Sequence, residues 1–103
     1  MSNISDEEIY ALFFKMMANK DRLRIMASVK SGAKTVSQIC DDTGFEQTWV
    51  SHSLKKLRDG GIVESKREGK YIYYKLDGGV KPIIEAVQKA APKYKKATGG
   101  SFV

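Results

Sequence analysis

The chain has 103 residues, with 18 Lys or Arg against 12 Asp or Glu and a formal net charge of +6. This length predicts one domain over residues 1–103 with a modest core, and the basic excess favours a polyanionic partner. No apolar run approaches a membrane span, no signal-peptide pattern opens the chain, and a single cysteine excludes an internal disulfide. We therefore expect a cytoplasmic protein with no membrane partner.

The first predicted helix opens at Ser5, with Glu8 at the capping-box position and acids in the first turn. The apolar residues that follow repeat at the spacing of one helix face: Ile9, Leu12, Phe13, Met16 and Met17. Tyr10 and Phe14 widen this stripe beyond what one small core needs. The excess predicts that the helix has a second buried surface.

The second helix is predicted over residues 21–30, after a break at residues 18–20. Its apolar residues fall on two lines: Leu23, Met26 and Ala27 on one, Ile25 and Val29 on the other. Arg22 and Arg24 project from the same helix. We interpret them as a solvated face, with phosphate contact the less favoured use.

A short third helix and a longer fourth helix form a predicted helix-turn-helix. Thr35 or Ser37 can cap the third helix, which ends at residues 43–44. The fourth helix then runs to the glycines at residues 60–61, which supply its C-terminal stop. Many DNA-binding domains contain this arrangement of a short helix, a tight turn with glycine and a second helix. Other pairs of helices share the same spacing.

The fourth helix separates an apolar face from a polar one. Val50, Leu54 and Leu57 repeat at i, i+4 and i+7. The outward residues form hydrogen bonds or carry positive charge: Gln47, Thr48, Ser51, His52, Lys55 and Lys56. Such side chains can reach base edges in the major groove of double-stranded DNA while the lysines hold phosphates. The competing interpretation is an ordinary solvated helix face.

After residue 61 the apolar period changes to two, which predicts a β-hairpin with a turn at residues 68–69 and a return strand over residues 70–76. Three cations surround the turn glycine: Lys66, Arg67 and Lys70. A basic hairpin directly after a helix-turn-helix predicts a wing that lays cations along phosphates or into a minor groove. A solvated hairpin tip is the alternative.

The last predicted helix has Pro82 in its first turn and a narrow apolar stripe of Val80, Ile83, Ile84, Val87, Ala91 and Tyr94. Pro92 is expected to end or kink it, and residues 98–103 to fray.

Pairing of the first and last helices between two subunits is favoured over one closed monomeric core. The predicted interface residues are Ile9, Leu12, Phe13, Met16, Ile83, Ile84, Val87 and Ala91.

Three segments together resemble the ArsR/SmtB family of winged-helix repressors. Residues 13–26, FFKMMANKDRLRIM, resemble its FFKALADPTRLRIL opening, and residues 50–57, VSHSLKKL, its VSHHLKxL recognition helix. Residues 61–76 are similar to its GLV…R.G…YYxL wing. The match covers about residues 9–90 in the same order and spacing. The resemblance implies a mainly α winged helix-turn-helix with about five helices and a two-stranded wing. It also implies a homodimer on a DNA operator of two related half-sites.

The residues that bind metal in many family members are absent at the aligned positions. Where family sensors carry cysteines in the third helix, this chain has Thr35 and Ser37. Where others use Asp, His and Glu on the last helix, it has Gly78, Val80, Ala91 and Tyr94. The resemblance therefore predicts no metal site and no cofactor, and leaves any small-molecule effector unknown.

Cys40 is the remaining candidate for a redox switch, but it follows Ile39 on an inward-facing stretch, which favours a small core residue. Trp49 stands where the resembled family usually has a small residue. Its side chain is expected either to pack on a neighbouring element or to stack near DNA. No paired nucleophile and base, phosphate-cradling loop or metal cluster indicates an enzyme. An architectural DNA binder and a winged-helix protein-interaction module remain as alternatives to a sequence-specific regulator.

Overall fold

A computed structural model, which describes residues 3–99, has five helices and one antiparallel hairpin. In chain order the elements are α1 Asp6–Met17, α2 Lys20–Ser28, α3 Val36–Thr43, α4 Gln47–Asp59, β1 Val63–Glu68, β2 Tyr71–Leu76 and α5 Lys81–Thr98. The predicted winged helix-turn-helix, mainly α with a small hairpin, is confirmed. None of the described helices combines the length and apolar character needed to cross a bilayer.

Side chains at the helix starts decide where α1 and α3 begin. Ser5 and Glu8 form the predicted capping box: the Ser5 hydroxyl accepts from the Glu8 N–H at 3.2 Å, and the Ser5 N–H donates to Glu8 Oε2 at 3.0 Å. Thr35, rather than Ser37, caps α3 through the same reciprocal pair of bonds with Gln38. The predicted starts of these two helices are therefore confirmed.

The second helix begins one residue earlier and ends two residues sooner than the predicted span of residues 21–30. Asn19 is its N-cap, and its Oδ1 accepts from the N–H groups of Asp21 and Arg22, each at 3.0 Å. Because the asparagine satisfies these first-turn donors, the segment interpreted as a break is also the start of the next helix.

The hydrophobic core lies among α2, α3 and α4 and is closed by the start of the hairpin and the first turn of α5. Its fully enclosed side chains include Ile25, Met26, Ile39, Val50, Leu54, Leu57 and Ile62. Burying an aliphatic side chain of this size is worth roughly 1.5–3 kcal/mol. The predicted inward stripe of α4 is confirmed, and its burial fixes how that helix is rotated about its own axis.

The hairpin turns one residue later than predicted. Glu68 pairs with Tyr71, so the turn consists of residues 69–70 rather than 68–69. Gly69 takes a left-handed φ of +61°, which a residue with a Cβ adopts only with strain. A glycine at the first of two turn positions matches the right-handed twist of the flanking strands, and this selects the observed register.

A polar network ties α2, α3 and the hairpin together. Lys34 and Tyr74 exchange two backbone hydrogen bonds, at 2.9 and 2.8 Å, so the segment before α3 joins the edge of the sheet. The Lys34 ammonium also pairs with the Asp42 carboxylate, which accepts a second bond from the Ser28 hydroxyl at 2.8 Å. The bonds from Lys34 and then Ser28 lower the pKa of Asp42 below its ordinary value.

The last helix continues through Pro92 to Thr98, so it does not end at the proline. A proline removes one backbone donor, and on an exposed helix the carbonyl left without that donor is open to water. Gly99 ends the helix in a left-handed conformation, with its N–H bonded to the Lys95 carbonyl. Thr98 is thus helical, whereas residues 100–103 of the predicted frayed segment lie outside the described residues.

We predict that Asp42→Asn lowers the free energy of unfolding at neutral pH, because the Lys34 ion pair is lost. Since folding lowers the pKa of Asp42, the carboxylate contributes stability above its ordinary value of 3.8 and loses it as the pH falls through the folded-state pKa. The difference from the wild type should therefore stay constant above that value and shrink below it.

Urea denaturation at a series of pH values measures this difference. The matched control is Asp41→Asn, since Asp41 is exposed and its carboxylate makes no hydrogen bond or ion pair with another described residue. An Asp42→Asn curve parallel to the wild type down to strongly acidic pH would contradict the prediction.

Candidate nucleic-acid interface

Helix α4 presents the predicted polar residues to solvent on one side of the molecule. Its inner face is closed by Val50, Ser53, Leu54 and Leu57, all buried. The residues predicted to contact DNA from this helix are all exposed: Gln47, Thr48, Ser51, His52, Lys55 and Lys56. Because the buried stripe leaves the helix only one orientation, these groups form a fixed surface.

The N-terminus of α4 keeps unpaired backbone donors. Glu46 occupies the cap position in an extended conformation, but its side chain makes no capping hydrogen bond. The N–H groups of residues 47–49 have no acceptor within residues 3–99, and the first bonded donor is Val50 N–H, at 3.0 Å from the Glu46 carbonyl. Open N–H groups and the positive end of the helix dipole make such a terminus suited to a phosphate.

The turn between α3 and α4 is held from outside by an arginine of α2. Gly44 turns the chain with φ +75°, and its N–H bonds the Cys40 carbonyl at 2.8 Å. Arg24 Nη2 donates to the Thr43 carbonyl at 2.9 Å, and its guanidinium carbon lies 4.9 Å from the centre of the Phe45 ring. One side chain therefore fixes the residues on both sides of the glycine.

Arg22 and Arg24 do more than form the solvated face interpreted from the sequence, although Arg24 remains exposed. Arg22 Nη1 donates to the Met16 carbonyl at 2.6 Å, at the end of α1, just as Arg24 bonds the end of α3. Each guanidinium thus satisfies a carbonyl that a helix C-terminus leaves without an intrahelical donor. The sequence held a signal for this, since residues two apart on a helix point about 200° apart and cannot share one face.

The cations of α4 differ in what they already bind. Lys55 Nζ lies 3.1 Å from Asp59 Oδ2, in an exposed i,i+4 pair. Lys56 and Arg58 form no ion pair with another described residue. Arg58 was absent from the predicted set, although it follows Ser51 by seven residues and so lies two turns along the same exposed face.

The two faces of the hairpin carry different charge. On one face Lys66 lies 3.7 Å from Glu68, and Lys75 lies 3.6 Å from Glu64. Arg67 lies on the opposite face and Lys70 in the turn, and neither forms an ion pair within the described part of the chain. The excess positive charge of the predicted wing is therefore concentrated on Arg67 and Lys70.

The terminal helices leave much of their apolar surface uncovered. Leu12 and Val87 are 57% and 50% exposed, and Ile9 and Ala91 are exposed as well. Three further predicted interface residues pack partly against the core: Phe13, Met16 and Ile83. Ile84 is 4% exposed, so it belongs to the core of the single chain and is not available to a partner.

Cys40 is half-buried and packs against the core, which is the environment expected of a small apolar residue. Within residues 3–99, no three or more His, Cys, Asp or Glu side chains are grouped so as to hold a metal ion. Trp49 is 43% exposed in the first turn of α4.

The chain is similar in sequence to known regulators. The sequence model of the family described as "Bacterial regulatory protein, arsR family" matches residues 19–65. The HTH-type transcriptional regulator Rv0324 of Mycobacterium tuberculosis is 36% identical over 81 residues, which are 78% of this chain and 36% of that protein. The uncharacterized HTH-type transcriptional regulator MJ1325 of Methanocaldococcus jannaschii is 35% identical over 81 residues, which are 77% of this chain and 91% of that one.

The fold is also similar to that of a solved structure. The homodimeric winged helix-turn-helix DNA-binding domain of Mb0332 from Mycobacterium bovis, a possible ArsR-family transcriptional regulator, superposes with a TM-score of 0.77. The two sequences are 31% identical, and the match covers 94% of this chain and 95% of that one. Of two curated mycobacterial relatives, this chain spans 36% and 50% of their lengths.

We predict that Arg24→Gln weakens affinity for duplex DNA by about tenfold, the order expected when a charge-assisted hydrogen bond is lost. Because Arg24 positions the turn before α4, the slope of log affinity against log salt concentration should stay at the wild-type value. Binding titrations at several salt concentrations measure both quantities. Lys20→Gln, also exposed on α2, is the charge-matched control. A slope smaller by about one for Arg24→Gln would instead mean that Arg24 contacts a phosphate directly.

Proposed function

Since the chain belongs to the ArsR family of bacterial transcriptional regulators, we propose that it is a homodimeric repressor that occupies an inverted-repeat operator. Its winged helix-turn-helix is the DNA-binding fold of this family, and its relatives are transcriptional regulators rather than enzymes. The observation that carries the proposal is the exposed polar face of α4, fixed by a fully buried inner face and followed by a basic hairpin.

In this proposal α4 lies in the major groove and reads bases with its first two turns. Gln47, Thr48, Ser51 and His52 offer the donors and acceptors that distinguish base edges. Lys55, Lys56 and Arg58 then follow at the height of the flanking phosphates, and the open N–H groups of residues 47–49 bind a phosphate at the other end. Lys55 exchanges its exposed bond with Asp59 for a phosphate, at little cost because the pair is solvated.

The wing follows the sugar-phosphate backbone beside the groove. Arg67 and Lys70 contribute most of its affinity, because no described acid neutralises them. Lys66 contributes less, since Glu68 lies within reach of its ammonium group. Contacts of this kind are independent of sequence and depend on salt, because each neutralised phosphate releases counterions.

The homodimer forms through the apolar surface that α1 and α5 leave exposed. Ile9, Leu12, Val87 and Ala91 lie on this surface, while Phe13, Met16 and Ile83 continue it toward the core. Exposed apolar side chains on both terminal helices of a small domain indicate an interface. A two-fold dimer places two copies of α4 in successive major grooves, which requires two half-sites in inverted orientation.

Regulation does not use the metal positions of the family. Thr35 and Ser37 supply no thiolate, and the aligned positions of the last helix supply no carboxylate or imidazole. We also propose that Cys40 is a packing residue rather than a redox switch, because it is half-buried against the core. The site of action is the cytoplasm, and residues 1–103 act as one domain.

The test of this function is selection of bound duplexes from a random DNA pool, in reducing buffer with a chelator. Enrichment of an inverted repeat is the expected result, because two copies of α4 would read related half-sites without metal. Retention of DNA with no enriched sequence would replace the proposal with an architectural binder. No retention of DNA would replace it with a protein-interaction module.

The dimer is tested in parallel with Leu12→Asp, which places a charge on the exposed apolar surface of α1. Sedimentation at micromolar concentration should give a dimer for the wild type and a monomer for this variant. The matched control is Tyr71→Asp, since Tyr71 is 51% exposed on the hairpin, away from the terminal helices. A monomeric wild type would overturn the dimer.

We predict that Arg67→Ala weakens binding equally for specific and non-specific duplexes and lowers the salt slope by about one, as expected when one phosphate contact is lost. The control is the double variant Lys66→Ala/Glu68→Ala, which removes two opposite charges from the other face of the same hairpin. Its salt slope should fall by less than that of Arg67→Ala, because Glu68 already offsets the charge of Lys66. Equal slopes for Arg67→Ala and the wild type would remove Arg67 from the interface.

A further inference from the structure

A small basic cavity lies behind the hairpin, where the α2–α3 connection meets the end of β2 and the start of α5. Its volume is about 240 Å³, and Lys30, Lys75 and Lys81 line it together with residues 31–33. None of its lining residues carries a carboxylate. Three lysines and no acid among the lining residues make the potential there positive.

The three lysines are only partly satisfied. Lys30 Nζ donates to Gln88 Oε1 at 2.8 Å, which leaves its full charge. Lys75 Nζ lies 3.6 Å from Glu64 Oε2, in a loose exposed pair. Lys81 forms no ion pair with any residue between 3 and 99. The cavity therefore retains more positive charge than its surroundings neutralise.

Backbone donors line the same cavity. The N–H groups of Lys30 and Lys34 bond the carbonyls of Ala27 and Tyr74, at 3.3 and 2.9 Å. Between them, the three consecutive N–H groups of residues 31–33 have no acceptor in the described chain. A side chain built on Gly32 would meet nothing within 4 Å, so an approaching ligand has room there. These open N–H groups add hydrogen-bond donors for an anion beside the lysines.

We propose that this cavity binds a small free anion with a phosphate or carboxylate group, and that its occupancy regulates DNA binding. The lysines and the backbone N–H groups together supply donors to several anion oxygens. At about 240 Å³ the cavity is smaller than typical sites for drug-sized ligands, so it fits an inorganic anion or one of a few carbons.

Helix α5 connects the cavity to the proposed dimer surface. The regulatory part of this inference rests on the proposed function. Lys81 is the first residue of this helix, and Gln88, the partner of Lys30, lies two turns further along it. An anion bound by Lys30 competes with the Gln88 bond and ties Lys81 to residues 31–33. Gln88 is adjacent to Val87 of the proposed dimer surface, so anion binding changes how α5 sits on the core and with it the distance between the two copies of α4.

The binding experiment uses the full chain without DNA and inorganic pyrophosphate as the probe. Titration followed by amide NMR should shift the signals of residues 31–33, and calorimetry should give a saturable isotherm. Lys81→Gln and Lys30→Gln should each weaken binding by about tenfold, the order expected for one charge-assisted hydrogen bond. Lys89→Gln, exposed on α5, should change it less than about twofold, since Lys89 does not line the cavity and its charge is screened by solvent. No shift at residues 31–33, or equal weakening by the control, would overturn the site.

The regulatory step is tested by DNA titration at constant ionic strength, with the selected operator or, if none is enriched, a random duplex. Pyrophosphate should change the affinity of the wild type and not that of Lys81→Gln. An unchanged wild-type affinity would overturn the regulation. A salt slope lowered by about one in Lys81→Gln, without DNA-free pyrophosphate binding, would identify a DNA phosphate as the source of the anion and overturn the proposal. A chain that selects an operator but binds no pyrophosphate would refute this inference while leaving the proposed function in place.

Discussion

Burial of one face of α4 is the constraint on which the rest of the structure depends. Val50, Leu54 and Leu57 are each 0% exposed, so the helix cannot rotate without bringing aliphatic groups into water. Everything that the opposite face presents is therefore held in one direction. Short polar side chains such as Thr48 and Ser51 reach only a few ångströms, and they are useful for reading bases only on a surface fixed in this way.

Polar contacts fix the relative orientation of the helices and the hairpin, which the apolar core alone does not determine. A core of aliphatic side chains fixes which faces meet, but tolerates small changes in the angle between helices. Arg24 holds the turn before α4, and Lys34 joins α3 to the hairpin through its backbone and through Asp42. These bonds link the helix proposed to read bases to the wing proposed to hold phosphates, so they help to fix the orientation of one surface relative to the other.

Net charge is a poor guide to where this chain is basic. The formal charge is +6, but Lys66, Lys75 and Lys55 each lie beside an acid. Cations without an ion pair in the described chain lie in separate places, among them Lys56 and Arg58 on α4, Arg67 and Lys70 at the wing tip, and Lys81 at the cavity behind it. Such a division is compatible with two kinds of anion, one a polymer and one small, bound on different sides of the hairpin.

The sequence by itself determined the element order, the inward stripe of α4 and the cap at Ser5, and it limited the cap of α3 to Thr35 or Ser37. These features depend on residues a few positions apart, and helical and strand periods are local properties. Only the tertiary structure decided the partners of Arg22 and Arg24, the place of Ile84 in the single-chain core, and the cavity lined by Lys30, Lys75 and Lys81. The reason is distance along the chain: Arg24 and Thr43 are 19 residues apart, and Lys30 and Gln88 are 58. No local period carries such pairings, so they arise only when the packed helices bring those side chains together.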